Sequence, residues 1–292
     1  MSAAEAHLVS ATSPRPLGLR AAIAGVGNEV YKGLLAGWSE RIQILIELPL
    51  FVSFFLLFGI LVGRGQEVAS SGEISWSFDK ERMSWLFVGF VAFTFFYLQS
   101  VKLFWRLLSE IQTGTLEQVY LSPLPSWLIA AAGRVIAALV ETVFVVSMMF
   151  AATSLFVDLE LNFRAGAMVP LVFLVAGSVG YSLLIGGITL ILKRVEMLAD
   201  LMLTPVFIAG GLFIPLSAMP DWLAAVGRFL PITHAVESLR FALLGEKALA
   251  TLWGDGGLVW VTVTAFSWVV LGIASFKWGE RFAKRRGSLS HL

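Results

Sequence analysis

Residues 210–245 read GGLFIPLSAMPDWLAAVGRFLPITHAVESLRFALLG, and no other stretch restricts the architecture of the chain as much. Pro220 and Pro231 bracket a short segment, and because proline removes a backbone hydrogen bond from a helix interior, the pair predicts helix boundaries. As a helix the bracketed piece is about 16 Å long, against a hydrocarbon core of about 30 Å. Since lipid satisfies no free backbone group, a helix this short must be buried in protein or lie at the membrane interface.

The composition around this stretch is that of a polytopic membrane protein. Of the 292 residues, 58% are hydrophobic and 14% are charged, whereas a soluble domain carries about 25% charged residues. Mean hydropathy is +0.83. Cysteine is absent, which excludes disulfides and thiolate chemistry. The three histidines, His7, His234 and His291, are far apart in sequence, so no metal site is predicted.

Six apolar segments approach or exceed the roughly 20 residues that cross a bilayer as a helix. They cover Ile42–Val62, Trp85–Trp105, Trp127–Val157, Ala167–Leu192, Leu198–Leu216 and Leu258–Phe276. The segments predict an all-α membrane protein with six transmembrane helices within residues 42–277.

The segments outside the six spans carry their own signals. Residues 20–41 place Ile23, Val26, Val30, Leu34 and Trp38 at helical spacing, which predicts an amphipathic helix in the cytoplasmic interface. An ordinary helix packed on the spans is the alternative. Residues 1–19 contain no apolar core of signal-peptide length and are interpreted as a disordered cytoplasmic tail, and residues 278–292 as a basic one.

The distribution of Lys and Arg predicts the orientation in the membrane. With the N-terminus in the cytoplasm, thirteen of these residues fall on that side and seven on the other. The chain is expected in the cytoplasmic membrane, and both termini are therefore expected in the cytoplasm. Residues 218–245, between spans 5 and 6, are expected on the external side. The cluster Lys284-Arg285-Arg286 indicates contact with anionic lipids rather than a nucleic-acid patch, so no nucleic-acid partner is predicted.

Charged residues at membrane depth are costly unless paired. Glu47 lies in span 1 and Lys102 at the end of span 2. Arg134 and Glu141 lie two helical turns apart in span 3. Because that distance is too long for a tight pair within the helix, each is expected to have a partner elsewhere. Structural pairing is favoured, and a proton relay through Glu47 and Glu141 is the alternative.

The connection between spans 2 and 3, residues 108–123, reads LSEIQTGTLEQVYLSP. A loop free in the cytosol has no need of apolar Ile111, Leu116 and Tyr120 on a short helix, so the pattern indicates docking into a groove on a partner. Glu110 and Glu117 would then set the charge register. An interfacial helix lying on lipid is the alternative.

Motifs for catalysis are missing from the chain. It contains no Gly-Lys-Ser or Gly-Lys-Thr of a phosphate-binding loop, no His-Glu-x-x-His and no Gly-x-Ser-x-Gly. No catalytic residue and no cofactor bound by this chain are predicted, and ATP, if it is used, must be bound by another polypeptide.

Two separated motifs carry a resemblance to a known family. Gly114-Thr115-Leu116-Glu117 is followed by Ser122-Pro123, and Phe213-x-Pro215 is followed by Pro220-x-Trp222 and then Pro231. In this order between spans, they resemble the type-2 ABC exporter permeases, membrane subunits of drug, polysaccharide and teichoic-acid exporters. The resemblance covers nearly the whole chain.

The resemblance implies a fold, partners and site residues. It implies an external re-entrant helical hairpin before the last span, a separate ABC ATPase subunit that binds ATP and Mg²⁺, a second permease copy or a related permease, and surrounding membrane lipids. The residues that it assigns to coupling with the ATPase are Glu110, Gly114, Thr115, Leu116, Glu117 and Tyr120. Those that it assigns to the external gate are Pro215, Pro220, Trp222, Pro231, His234, Glu237 and Arg240.

Several questions stay open at the level of sequence. An amphiphilic or hydrophobic substrate (a drug, lipid or lipid-linked glycan) is expected from the family. The aromatic-rich spans 1 and 2 either line the pathway or pack against each other. His234, Glu237 and Arg240 share one helix face and either line the exit or satisfy one another. The rival function is an ion-coupled secondary transporter, which is expected to carry an inverted repeat that is not visible here.

Overall fold

In the part of the chain that the structure describes, prolines and glycines mark several helix ends. The computed structural model describes residues 19–39, 41–70, 80–115, 126–192, 197–245 and 257–285, and every regular element in these ranges is helical. In chain order the α-helices are α1 (Leu19–Ser39), α2 (Arg41–Ser70), α3 (Lys80–Gln112), α4 (Ser126–Thr153), α5 (Met168–Ile191), α6 (Leu198–Ala209), α7 (Asp221–Phe229), α8 (Pro231–Leu243) and α9 (Gly257–Arg285). Short 3₁₀ turns at Ala165–Ala167 and Leu216–Ala218 precede α5 and α7.

Four helical segments in the described ranges are long and apolar enough to cross a membrane. They are Lys80–Gln112, Ala131–Thr153, Ala165–Ile191 and Gly257–Arg285. Leu45–Leu61 within α2, and the whole of α6, are shorter apolar helices. The prediction of an all-helical, multi-pass membrane protein is thereby confirmed.

Two of the differences between predicted and observed boundaries change the description of the fold. The fifth predicted span runs to Leu216, but α6 ends at Ala209. Gly211 has φ of +69°, a left-handed conformation that ends a helix at little cost only for glycine, and the chain after it is extended at Pro215. At the C-terminus, α9 continues through Arg285, so the first half of the predicted basic tail is helical. Residues 1–18 and 286–292 lie outside the described ranges.

Helices α5 and α9 pack backbone to backbone through glycines. A Cβ added at Gly272 would meet the carbonyl group of Gly180, and one added at Gly279 would meet that of Gly187. Each helix therefore carries two glycines seven residues apart at the points of closest approach. Small residues allow this approach in lipid, where helix association depends on packing. These glycines of α5 thus serve packing within one chain.

Aromatic rings fill the space between α2, α3 and α6. Phe55 of α2 lies 5.5 Å from Phe87 and 5.6 Å from Phe90 of α3, measured between ring centroids. Further along α3, Phe93 lies 5.1 Å from Phe207 of α6. Such pairs add about 0.5–1.5 kcal/mol each beyond burial of their area. The aromatic-rich segments therefore do pack against each other.

Helices α7 and α8 form a hairpin that meets at Leu230. Pro220 immediately precedes α7 and Pro231 is the first residue of α8, so both prolines stand at helix boundaries as the sequence predicts. At the tip, a Cβ on Gly177 of α5 would contact Pro231. The indole Nε1 of Trp268 in α9 donates to the carbonyl oxygen of Phe229 at 2.7 Å. The tip is thus held between α5 and α9.

Candidate functional site

A cluster of charged side chains joins α1, α3 and α4 near the end of α3. Lys102, Arg106 and Glu110 stand four residues apart on α3, so they share one face of that helix. That face is turned toward Arg134 and Glu141 of α4, as the ion pairs described below show. We call these five residues, together with Lys32 of α1, the charged cluster.

Glu141 is the buried acceptor at one end of the charged cluster. Its side chain is 7% exposed, and its Oε2 lies 2.7 Å from the Nζ of Lys102. Its other carboxylate oxygen accepts a hydrogen bond from Arg106. Two cations from α3 therefore neutralise one carboxylate of α4, which is the type of partner on another helix that membrane burial requires.

Glu110 is the acceptor at the other end of the charged cluster. It is ion-paired with Arg134, whose side chain is 3% exposed. The Nζ of Lys32 lies 3.4 Å from the other oxygen of Glu110, but this lysine is half exposed, so its contribution is small. Arg134 and Glu141 therefore both have partners on α3 rather than on their own helix.

Helix α1 is fitted closely onto this cluster. Arg106 donates to the carbonyl oxygen of Gly33 at 3.2 Å, and a Cβ on Gly37 would meet the carboxylate of Glu141. The opposite side of α1 leaves Tyr31, Leu35 and Trp38 exposed. One face of α1 is thus packed on α3 and α4, which agrees with a helix packed on the spans. Another face is apolar and exposed, which agrees with an amphipathic helix in the interface.

The charged cluster stands at the base of the predicted coupling segment. Helix α3 ends at Gln112, and Gly114 follows with φ of +70°, where glycine is the least strained residue. The hydroxyl groups of Thr113 and Thr115 lie 3.0 Å apart. The remaining predicted coupling residues, Leu116, Glu117 and Tyr120, lie outside the described ranges.

A second site surrounds Arg240 of α8. Its guanidinium donates to the carbonyl oxygens of Trp85 at 3.1 Å and Gly211 at 2.7 Å, and also to that of Leu212. It also lies over the Trp85 ring, 3.4 Å from the centroid. Burial lowers the pKa of Arg240 to about 9 and nearby Glu237 opposes the shift, so the side chain stays cationic at neutral pH.

These contacts attach the hairpin to α3. Because the carbonyl of Leu212 approaches the backbone of α3 at Gly89, a Cβ at that glycine would collide with it. The hairpin therefore rests directly on the first turns of α3, where Trp85 lies.

The other predicted gate residues have separate surroundings. The Nε2 of His234 lies 3.1 Å from the carbonyl oxygen of Arg228, while Glu237 lines a small cavity of about 160 Å³ with Arg240 and Pro215. In the part of the chain that the structure describes, no hydrogen bond or ion pair joins His234, Glu237 and Arg240 to one another. Arg240 instead donates to backbone carbonyl oxygens, and the assignment of the three residues to the exit stays a prediction. Trp222 is 70% exposed on α7.

Glu47 lines a groove between α2, α3 and α6. The groove has a volume of about 330 Å³, and its walls are Phe51, Phe54, Tyr97 and Phe207, together with neighbouring apolar groups. The aromatic segments therefore present ring surfaces to an open space as well as to each other. Across the described ranges, no three His, Asp or Glu side chains are grouped to hold a metal ion.

Sequence reasoning did not assign Lys102 and Arg106 to Glu141, although a signal was present. Two basic residues and one acidic residue at four-residue spacing mark one face of a helix. What the sequence could not supply was the rotation of α4 that turns Arg134 and Glu141 toward that face.

A family model described as ABC-2 type transporter matches residues 31–244, which is well over half of the chain. The matched range extends from α1 through α8 and contains both the charged cluster and the hairpin. The comparison with curated proteins gave no match. The chain therefore belongs to the ABC-2 type transporter family, as a multi-pass permease of an ABC transporter.

Proposed function

We propose that this permease moves an amphiphilic or hydrophobic substrate outward across the cytoplasmic membrane, driven by a separate ABC ATPase that binds ATP and Mg²⁺. The observation that carries the proposal is the charged cluster, which ties α1, α3 and α4 together where α3 leads into residues 116–125. The family is one that works with an ABC ATPase partner, and this segment is the proposed docking point.

The charged cluster provides a way to transmit force from the residues that follow α3. A displacement of residues 114–120 by the ATPase would reach α3 because these residues follow that helix in sequence. Glu110 and Arg106 would carry the displacement to α4 through Arg134 and Glu141. Such work requires that ATP binds the ATPase more tightly in one arrangement of the permease than in the other.

We propose six spans with both termini in the cytoplasm. The four long apolar segments form four of these spans, and α2 and α6 form the other two. In this arrangement the α7–α8 hairpin enters the membrane from outside. Gly177, which faces Pro231 at the hairpin tip, is about 14 Å along α5 from Met168. Trp268, which binds Phe229, is about 16 Å along α9 from Gly257. Both distances support a tip near the middle of a hydrocarbon core of about 30 Å.

The proposed substrate path passes the aromatic groove between α2, α3 and α6. Its ring surfaces suit an amphiphile with planar or hydrocarbon parts, and Glu47 and Tyr97 provide polar groups along the wall. The gate residues around Arg240 would then stand above it. Export, rather than import, is proposed from the family resemblance.

A second permease, either another copy or a relative, is proposed to complete the pathway. Helix α2 supports this because its outer face is apolar and uncovered, with Leu50, Leu57 and Leu61 all more than half exposed. A contiguous apolar face of this kind indicates contact with another membrane helix or with lipid.

The energy source separates this proposal from an ion-coupled transporter. Inverted vesicles that contain the permease and its ATPase should lose uptake of a fluorescent amphiphile when ATP is depleted while ion gradients are held constant. Uptake that continues without ATP and stops when the gradients collapse would favour the secondary transporter instead.

A further inference from the structure

The aromatic groove between α2, α3 and α6 carries negative charge at one end. Among the described residues that line it, Glu47 alone is charged, and its side chain is partly buried. Asp200, in the first turn of α6, lies close to the same end, since it and Glu47 both interact electrostatically with the hydroxyl group of Tyr97. The described part of the groove is therefore an acidic site.

The cations of the charged cluster on α3 are turned away from this groove. Lys102 and Arg106 follow Tyr97 by five and nine residues. At 3.6 residues per turn these positions point about 140° and 180° away from Tyr97 around the helix. Both cations are ion-paired with Glu141 of α4. Their charge is thus directed to α4 and does not cancel that of the groove.

Aromatic rings supply most of the groove wall. They belong to Phe51, Phe54, Phe90, Phe93, Tyr97 and Phe207. Phe54 and Phe90 are stacked with centroids 5.9 Å apart, and Phe51 meets Tyr97 edge to face at 6.4 Å. The face of an aromatic ring carries partial negative charge and attracts a cation, most strongly where water is excluded. The rings therefore favour the same sign of ligand charge as Glu47 does.

The acidic end lies near the cytoplasmic boundary of the membrane in the topology proposed above. Glu47 is about 9 Å along α2 from Arg41, and Tyr97 is about 26 Å along α3 from Lys80. Phe90 is about 15 Å along α3 from Lys80, near the middle of a core of about 30 Å. The charge therefore stands where the head of an amphiphile in the inner leaflet would lie, and the rings stand beside its apolar part.

We propose that this groove selects lipophilic organic cations as substrates. The positive charge lies against Glu47, with Asp200 adding to the field, and the apolar part lies on the rings. The groove volume of about 330 Å³ is at the lower end of the range for small-molecule sites, which suits a compact cation better than a lipid-linked glycan. This assignment rests on the transport function proposed above, and it narrows the substrate from any amphiphile to those that carry positive charge.

Two ions of nearly the same shape test the charge selection directly. Tetraphenylphosphonium and tetraphenylborate each hold four phenyl groups around a central atom, but their charges are opposite. The binding of each ion to purified full-length permease is measured by equilibrium dialysis in a neutral detergent, and uptake by protein-free micelles is subtracted. The wild type should bind the phosphonium at least about tenfold more tightly than the borate.

Variants of the wall separate the charge from the rings. Glu47→Gln keeps the size of the side chain, and it should weaken phosphonium binding by about tenfold without weakening borate binding. Glu29→Gln is the matched control, because Glu29 is also partly buried but packs against Gly133 of α4, outside the groove. It should leave both affinities unchanged. Phe54→Leu removes one ring and no charge, and it should weaken phosphonium binding while the preference over borate remains.

Equal affinity of the wild type for the two ions would overturn the charge selection. So would unchanged phosphonium binding in Glu47→Gln, or an equal loss in Glu29→Gln. Because binding requires no ATPase, selective binding without ATP-dependent transport would contradict the proposed function alone. ATP-dependent transport of a neutral amphiphile without selective binding would contradict only the charge selection.

Discussion

Glu141 shows how a single carboxylate holds several helices at membrane depth. It faces Lys102 and Arg106 of α3, and its carboxylate lies against Gly37 of α1. An intact buried pair adds little net stability, because burying both ions is costly, but removal of one partner leaves the others uncompensated. The charged cluster contains four cations and two carboxylates, so the loss of either carboxylate is expected to be worse than the loss of one cation.

Glu141→Gln should therefore destabilise the protein by about 3–5 kcal/mol, because two buried cations lose their counter-charge. The measurement is the thermal melting of detergent-purified protein followed by intrinsic fluorescence. Glu160→Gln is the matched control, since Glu160 is exposed and lies outside the cluster, and it should melt like the wild type. Identical melting curves for both variants would show that the cluster does not hold the helices together.

The contacts that Arg240 makes depend on the shape of its side chain. Its three guanidinium nitrogens bind three carbonyl groups in α3 and the α6–α7 connection. A lysine would keep the charge but offers its donors from a single atom, so it cannot reach all three. Some of these carbonyl groups in α3 and the α6–α7 connection would then lose their side-chain donor.

Arg240→Lys should lower the stability of the hairpin by about 1–3 kcal/mol, the usual cost of leaving a buried polar group unsatisfied. Limited proteolysis between α6 and α8 measures this, and cleavage should become faster than in the wild type. Arg164→Lys provides the comparison at an exposed arginine. If the two variants are cleaved equally slowly, the contacts of Arg240 do not secure the hairpin.

At the scale of elements, the packing of α5 against α9 depends on glycines, which have no side chain. Gly180 and Gly187 face Gly272 and Gly279, and at each point a Cβ would collide with backbone rather than with a flexible side chain. Backbone cannot move aside without shifting a whole helix. Larger residues should therefore be tolerated much less at these positions than at glycines in open space.

Gly272→Leu should force α5 and α9 apart and lower stability by about 1–3 kcal/mol or more, as overpacking does. Gly27→Leu in α1 is the control, because nothing lies within 4 Å of a Cβ at that position. Both variants add the same side chain to a helical glycine. Yield of monodisperse protein and melting temperature should fall only for Gly272→Leu, and an equal fall in both would remove the role given to the α5–α9 contact.

Elements that depend on local sequence could be predicted, whereas contacts that depend on how the helices pack could not. Long apolar runs and the prolines at 220 and 231 act locally, so they indicated α3, α4, α5, α9 and both boundaries of α7. The end of α6 depends on a left-handed conformation at Gly211. The partners of Arg134, Glu141 and Arg240 depend on how helices rotate against each other, which no local pattern records.

At the scale of the whole molecule, two fixed regions lie at opposite ends of α3. The charged cluster joins its last turns to α1 and α4, and Arg240 joins its first turns to the hairpin. Helix α3 itself is largely buried and has 33 residues. A displacement of the residues beyond Gly114 can therefore reach the hairpin through one continuous helix, which is the physical basis of the proposed coupling between ATPase and gate.

The most direct test of this coupling uses Glu117, which follows α3 in sequence. The permease and its ATPase are reconstituted together in proteoliposomes, and ATP hydrolysis and transport of a fluorescent amphiphile are measured for the wild type, Glu117→Arg and the control Glu160→Arg. Charge reversal at Glu117 should abolish substrate-stimulated hydrolysis and transport while the protein remains inserted, and the control should keep both activities. Full hydrolysis and transport by Glu117→Arg would contradict the account.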